Sequence, residues 1–356
     1  MNGSDHVRLL LAILCRRWQE AEALTAGTPV DPTAFLELCR ETDVGVWVHA
    51  RLEESGRSAL IGAEAMARLD AVRSRIRNDN LLLLARNEQA LRLLVDAGVK
   101  PVALKGLDVL HRLGVGFDER TMDDVDLLVR EDQLTACIAA LEGGGWEAPA
   151  EPKRTHYIRT SHHLPLVSPG PVVVGFEIHW NLVQENRYSV DVEGMLARAR
   201  PLDVGGIEIL RLDDHDAVAH LLLHHFTHYF DRRLKWMIDL DLLTRQPGFS
   251  WAKVVERVRE WGATAAVGMS VMHLRKIFPE RIPAEVAEQL PVAGWRRALT
   301  LPLRSGHPLD LFRNTRRRWV QLYLATVLLE RPSMVPGWML HRATRDRQTG
   351  SNPLDR

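Results

Sequence analysis

Asp124 and Asp126 stand two residues apart in the stretch Asp124-Val125-Asp126-Leu127-Leu128-Val129. On a β-strand the pleat points both carboxylates the same way, while Val125 and Leu127 point into the layer behind. Two anions on one face repel unless a cation lies between them. A hard divalent ion such as Mg2+ meets that need, because it takes oxygen ligands and is commonly shared between a few carboxylates and the phosphates of a substrate. Upstream, an apolar run from Val102 ends at Lys105-Gly106, which predicts a buried strand entering a tight turn and then a short helix over Leu107 to Leu113. Backbone N–H groups in such a turn could cradle a phosphate. Alone, an Asp-x-Asp pair is more often a solvated strand edge or loop than a metal site. The glycine turn and Arg120, four residues before Asp124, shift the reading toward phosphate chemistry.

The order Leu104-Lys105-Gly106, then Arg120-x-x-x-Asp124-x-Asp126-Leu127-Leu128-Val129, resembles the nucleotidyltransferase superfamily of the polymerase beta type. It most resembles a bacterial branch of that superfamily in which Lys-Gly stands where a Gly-Ser pair is usual. The resemblance covers roughly Lys100 to Leu243. It implies that the first carboxylate pair, Asp124 and Asp126, holds Mg2+ or Mn2+, and that Lys105 and Gly106 approach the triphosphate of a nucleotide, with ATP the expected donor. A third carboxylate on a later strand would activate an acceptor hydroxyl.

That later strand is Val172 to Trp180, where Glu177 and His179 share one face and Phe176 and Ile178 the other. Its acidic-x-His-Trp pattern looks like the corresponding strand of the same branch, which makes Glu177 the third carboxylate, ligating metal and accepting the acceptor's proton. The competing reading is a strand-end glutamate facing water. Further on, Arg232, Arg233, Lys235, Trp236 and Asp239 resemble the basic-Trp-x-x-Asp stretch of the family, with Arg233 or Lys235 as a charge clamp on the triphosphate. Helical salt bridges from Lys235 to Asp231 and Asp239 explain the same residues. Between the two motifs, His220, His224 and His228 recur every four residues on one helix face. Zinc binding is one reading of that spacing; a helix lining the cleft is the other.

Length bounds the whole. A chain of 356 residues has room for two or three cores, and 46% hydrophobic with 26% charged residues is ordinary globular composition. Lys plus Arg equals Asp plus Glu at 46 each, which disfavours a chain built to coat a nucleic acid and favours a small-molecule, peptide or protein acceptor. Cys15, Cys39 and Cys137 lie far apart without Cys-x-x-Cys spacing, as expected of a reducing cytoplasm. The apolar stretch Leu9 to Leu14 is too brief for a signal peptide, and no run reaches the ~18 apolar residues of a membrane span.

The elements that must position these residues follow from periodicity. Apolar residues at three and four spacing predict helices from Val7 to Asp96, with breaks at Gly27 to Pro32 and at Gly56, a new helix at Pro32 and the longest over Glu64 to Ala97. Glu131 to Glu142 predicts a helix stopped by Gly143-Gly144-Gly145, and Thr155 to Thr160 and His162 to Val167 read as strands. From Asp213 the chain is helical again, with a basic lead-in at Arg313 and Arg316 to Arg318 before the apolar run Trp319 to Leu329, and a polar tail from Thr344 to Arg356. The expected fold is α+β: a nucleotidyltransferase-type mixed sheet with helices over 99–212, a helical region over 1–98 and another over 213–356. The expected activity is metal-dependent transfer of a nucleoside monophosphate to a hydroxyl; the alternative is a scaffold that keeps the fold without the chemistry.

Overall fold

A computed structural model describes residues 1, 3–170, 174–183, 187–230 and 232–329. Its centre is a six-stranded mixed sheet. The strands are β1 (Val102–Ala103), β2 (Asp124–Leu128), β3 (His163–Val167), β4 (Gly175–His179), β5 (Arg200–Val204) and β6 (Ile207–Arg211), in the order β3-β4-β2-β1-β6-β5. β2 runs parallel to β4 and β1 parallel to β6; the other neighbours are antiparallel. The class is α+β, as the sequence predicts.

Alternation decides what each face of the sheet does. Val125, Leu127, Phe176, Ile178, Leu164 and Leu166 all turn to one face and are buried. There the second half of the helix Gly62–Asp96 covers them through Leu83, Ala90, Leu91 and Leu94, together with the helix Leu134–Gly143. The opposite face carries Asp124, Asp126, Glu177, His179 and His163, and leaves a cleft. It is roofed by the helices Asp214–Thr227 and Lys235–Thr244.

A second core lies beyond that roof. It joins residues of the first helix, Gly3–Leu14, to residues of the last described helix, Arg318–Leu328, and to most helices between Val218 and Val292. Leu9 to Leu14, the short apolar stretch near the start, sits inside it. The helix Gly62–Asp96 belongs to both cores, giving Ala65 and Leu69 to one and Leu83 to Leu94 to the other. At about 1.5 Å per residue it is long enough to reach across the molecule.

Several local expectations change. Lys153–Thr160 is a helix and not a strand, while the neighbouring strand forms as His163–Val167. The short helix after β1 begins at Lys105, so Lys105 and Gly106 form its first turn. A single turn of 3-10 helix, Glu131–Gln133, precedes Leu134–Gly143. β5 and β6 were not anticipated; they form a hairpin around Gly205 and Gly206, both at positive φ. Val172 and Val173 of the predicted strand, Asp231 and the tail Thr344 to Arg356 lie outside the described residues. Among the described residues no helix is long and apolar enough to cross a membrane.

Candidate active site

The register of the sheet assembles the site. β2 and β4 are paired so that Asp126 lies opposite Glu177 and Leu128 opposite His179, and β3 places His163 opposite His179. Period-two alternation then puts Asp124, Asp126, Glu177, His179 and His163 on one face. All five line a cleft of about 570 Å3, and Lys105, Gly106, Arg120, Arg233 and Lys235 line it as well. Every residue that the sequence nominates for catalysis, metal or nucleotide therefore borders one cavity.

Asp126 is the hub. Its Oδ1 accepts from Lys105 Nζ at 3.0 Å and lies 2.8 Å from His179 Nε2, which is also 3.3 Å from Glu177 Oε2. Burial alone would raise the Asp126 carboxyl, but Lys105 and His179 outweigh it and hold the group well below the usual range. Asp124 moves the other way. The charge of Asp126, then burial, pushes it up to about 7. Burial works against a charged His179, yet its bonds to Asp126 and Glu177 raise it to about 9, so the ring is an imidazolium at neutral pH. Burial also opposes ionisation of Glu177, but His163 and His179 bring it below its ordinary value. Asp126 and Glu177 thus balance Lys105 and His179, and only the part-ionised Asp124 leaves the face negative. One ligand atom each from Asp126, Glu177 and His179 lie within 4.8 Å of one another, a donor set that suits a divalent ion.

Beside the carboxylates, the helix Lys105–Leu113 opens toward the cleft. Its N-cap is Leu104, which has no side-chain acceptor, so the first N–H groups of the helix go without a side-chain cap. Lys105 adopts a left-handed backbone, φ 48°, where non-glycine residues are uncommon. Gly106 is fixed by space: a Cβ there would meet Arg120 Nη1 at 2.6 Å and Met122 Cγ at 3.0 Å.

The basic residues divide into two kinds. Arg120 is buried and forks onto Asp239 at 2.8 and 2.7 Å, so its guanidinium ties the loop before β2 to the helix Lys235–Thr244. Lys235, also buried, reaches Asp43 at 2.6 Å and Asp123 at 3.0 Å. The helical salt bridge expected between Lys235 and Asp239 is replaced by these two longer-range contacts. Arg233 lies over the Trp236 ring at 5.0 Å. Sequence reading passed over Asp43, Asp123, His162, His163 and Arg187; of these, all but Asp43 line the cleft. Asp123 adjoins the aspartate pair and was within reach. The histidines were not, because their place depends on which strand pairs with β4.

His220, His224 and His228 do face the cleft, with ring centroids 5.8 Å apart for the first two and 4.1 Å for the last two. Burial drives His220 down to about 3 and His224 well below its usual value. Among the described residues the converging metal-type groups are Asp126, Glu177, His179 and His162, His163, His179; the helix triplet is not one of them.

A family model described as an uncharacterised nucleotidyltransferase matches residues 28–279. The chain belongs to this nucleotidyltransferase family. The match runs from the N-terminal helices through the sheet to the helix Thr264–Ile277, well beyond the Lys100 to Leu243 stretch that carries the motifs. No curated protein and no solved structure matches the chain.

Proposed function

We propose that this nucleotidyltransferase uses a divalent metal to transfer a nucleoside monophosphate from a nucleoside triphosphate, ATP being the expected donor, to a hydroxyl of a small-molecule, peptide or protein acceptor. One observation carries the reading: Asp124, Asp126 and Glu177 converge on a cleft into which an uncapped helix N-terminus also opens. Asp124, Asp126 and Glu177 would hold Mg2+ or Mn2+. Bound there, the ion supplies positive charge to the triphosphate and to the attacking and leaving oxygens.

The chain's own groups do the rest. Glu177, kept ionised below its ordinary range, is available to take the proton of the acceptor hydroxyl. The N–H groups at Lys105 and Gly106 and the Lys105 ammonium meet phosphate oxygens. Arg233 extends the positive lining, while Lys235, through Asp123 and Asp43, sets the position of the loop before β2. Arg120, also in the lining, holds that loop through Asp239.

Calorimetric titration of ATP, GTP, CTP and UTP, with Mg2+ and with EDTA, tests the reading. One nucleotide is expected to bind the wild type only with metal present, and Asp124→Asn and Asp126→Asn are each expected to abolish that binding. Absence of nucleotide binding to the folded wild type would overturn the transferase and leave a scaffold.

A further inference from the structure

The cleft holds chemistry that transfer of a nucleotide does not require. Six histidines line it, and three of them, His162, His163 and His179, each offer a ligand nitrogen within 4.8 Å of the others. The fold puts them there for reasons of register. His163 and His179 are a cross-strand pair of the antiparallel β3 and β4. His162 precedes β3, and its carbonyl accepts from the N–H groups of Trp180 at 3.1 Å and Asn181 at 3.4 Å, which fixes it against the end of β4. Because His162 lies outside the strand, pleat alternation does not force it away from His163.

The spacing suits one ion. Ring centroids are 4.6 Å apart for His162 and His163, 5.7 Å for His162 and His179, and 5.1 Å for His163 and His179. Three imidazoles on a tetrahedral zinc-type ion, with metal–nitrogen bonds of about 2.0 Å, place their centroids roughly 5 Å apart. At His179, Nε2 is taken by Asp126 and Glu177, whereas Nδ1 is buried and has no hydrogen-bond partner among the described residues, so an ion would bind there by replacing the Nδ1 proton of the imidazolium. Glu177 Oε2 lies 3.8 Å from His163 Nε2, near enough to offer a fourth ligand.

We infer that His162, His163 and His179 form a site for a divalent transition-metal ion of the zinc class, distinct from the carboxylate position assigned to Mg2+. Ligand softness separates the two. Imidazole nitrogen suits zinc, cobalt, nickel and copper, whereas Mg2+ keeps to oxygen. An ion at the histidines would stand beside Glu177, at the end of the cleft where the acceptor is activated. The inference shares Glu177 and His179 with the proposed function but does not depend on nucleotide transfer.

The test uses tag-free, EDTA-stripped full-length protein titrated with Co2+ in the absence of nucleotide, read by visible d–d absorption, with Zn2+ and Mg2+ as competitors. One Co2+ per chain is expected, with the intensity of a tetrahedral nitrogen-ligated site, displaced by Zn2+ and retained in excess Mg2+. His163→Gln and His162→Gln are each expected to weaken binding at least about tenfold, and Asp124→Asn to leave it in place. Because His162 lies outside the sheet, its variant keeps the test open should His163→Gln misfold. A wild type without the cobalt band, displacement by Mg2+, loss of the band in Asp124→Asn, or unchanged affinity in both histidine variants would each overturn the inference. Mg2+-dependent nucleotide binding by the same wild-type sample reports separately on the transferase.

Discussion

Lys105 puts an ammonium between carboxylates while holding a left-handed backbone, and both facts follow from where it stands: the strand β1 has just ended and the helix begins at once. Burial works against its charge, but Asp126, Asp124 and Glu177 raise it above the ordinary lysine value, so it stays protonated. Lys105→Met removes that charge and leaves the carboxylates facing each other. The melting temperature without metal is expected to fall, and added Mg2+ to restore more of it than in wild type, as differential scanning fluorimetry would record. At this scale much was legible. Asp124 and Asp126 are spaced by two, as are Glu177 and His179, and the pleat alone puts each pair on one face. His163 was hidden because its partner, His179, is set by strand pairing, which no local spacing encodes.

The loop from Gly114 to Asp123 shows how elements discipline a site that their own sequence does not announce. Asn80, buried on the long helix, donates to the carbonyls of Phe117 at 2.7 Å and Arg120 at 2.6 Å and accepts from the Met122 N–H at 3.1 Å. With Arg120 forked onto Asp239, the segment entering β2 is gripped from two helices. Asn80→Ala leaves three backbone groups to find other partners and is expected to cost about 1–3 kcal/mol in urea unfolding, together with weaker nucleotide binding. Asp239→Ala strands the buried Arg120 charge, and a larger loss, about 3–5 kcal/mol, is expected in the same measurement. Neither grip could be read from the sequence, since both join residues more than thirty-five positions apart. The hairpin of β5 and β6 was legible in principle: Gly205-Gly206 lies between runs that alternate apolar and polar. The segment Lys153–Thr160 misled because it is short and polar, and its helical turn is favoured by Tyr157 packing beneath it.

Across the whole molecule the histidines give stability a direction in pH. His225 Nε2 lies 3.0 Å from His273 Nδ1, and His273 Nε2 donates to the Leu309 carbonyl at 3.0 Å, so His273 accepts from His225 and both rings are neutral. Burial lowers His273 to about 4 and His225 well below its usual value. Unfolding frees such groups to take protons near pH 6.5, so the stability they lend is complete above that pH and is lost as pH falls toward about 4. His179 contributes oppositely, being fully stabilising below 6.5 and losing its part as pH rises toward about 9. The urea midpoint is therefore expected to drop between pH 6.5 and 4, and His225→Gln/His273→Gln to flatten that drop. The core containing these rings also binds the first helix to the last described one, so the fold class was legible while the union of the chain's two helical ends was not: periodicity marks an apolar face without naming what covers it.

That union has a consequence during synthesis. The helices Pro32–Thr42 and Gly45–Glu54 cover most of Gly3–Leu14 and of the first half of Gly62–Asp96 as they emerge, but Leu14 and Trp47, which border one small pocket with Met237 and Phe278, leave the ribosome long before those partners exist. At roughly 5–20 residues per second, the nascent chain waits on the order of ten seconds or more with those surfaces uncovered. Its yield in a cell-free translation should accordingly depend on chaperones that shield emerging chains, and least so when translation is run fast.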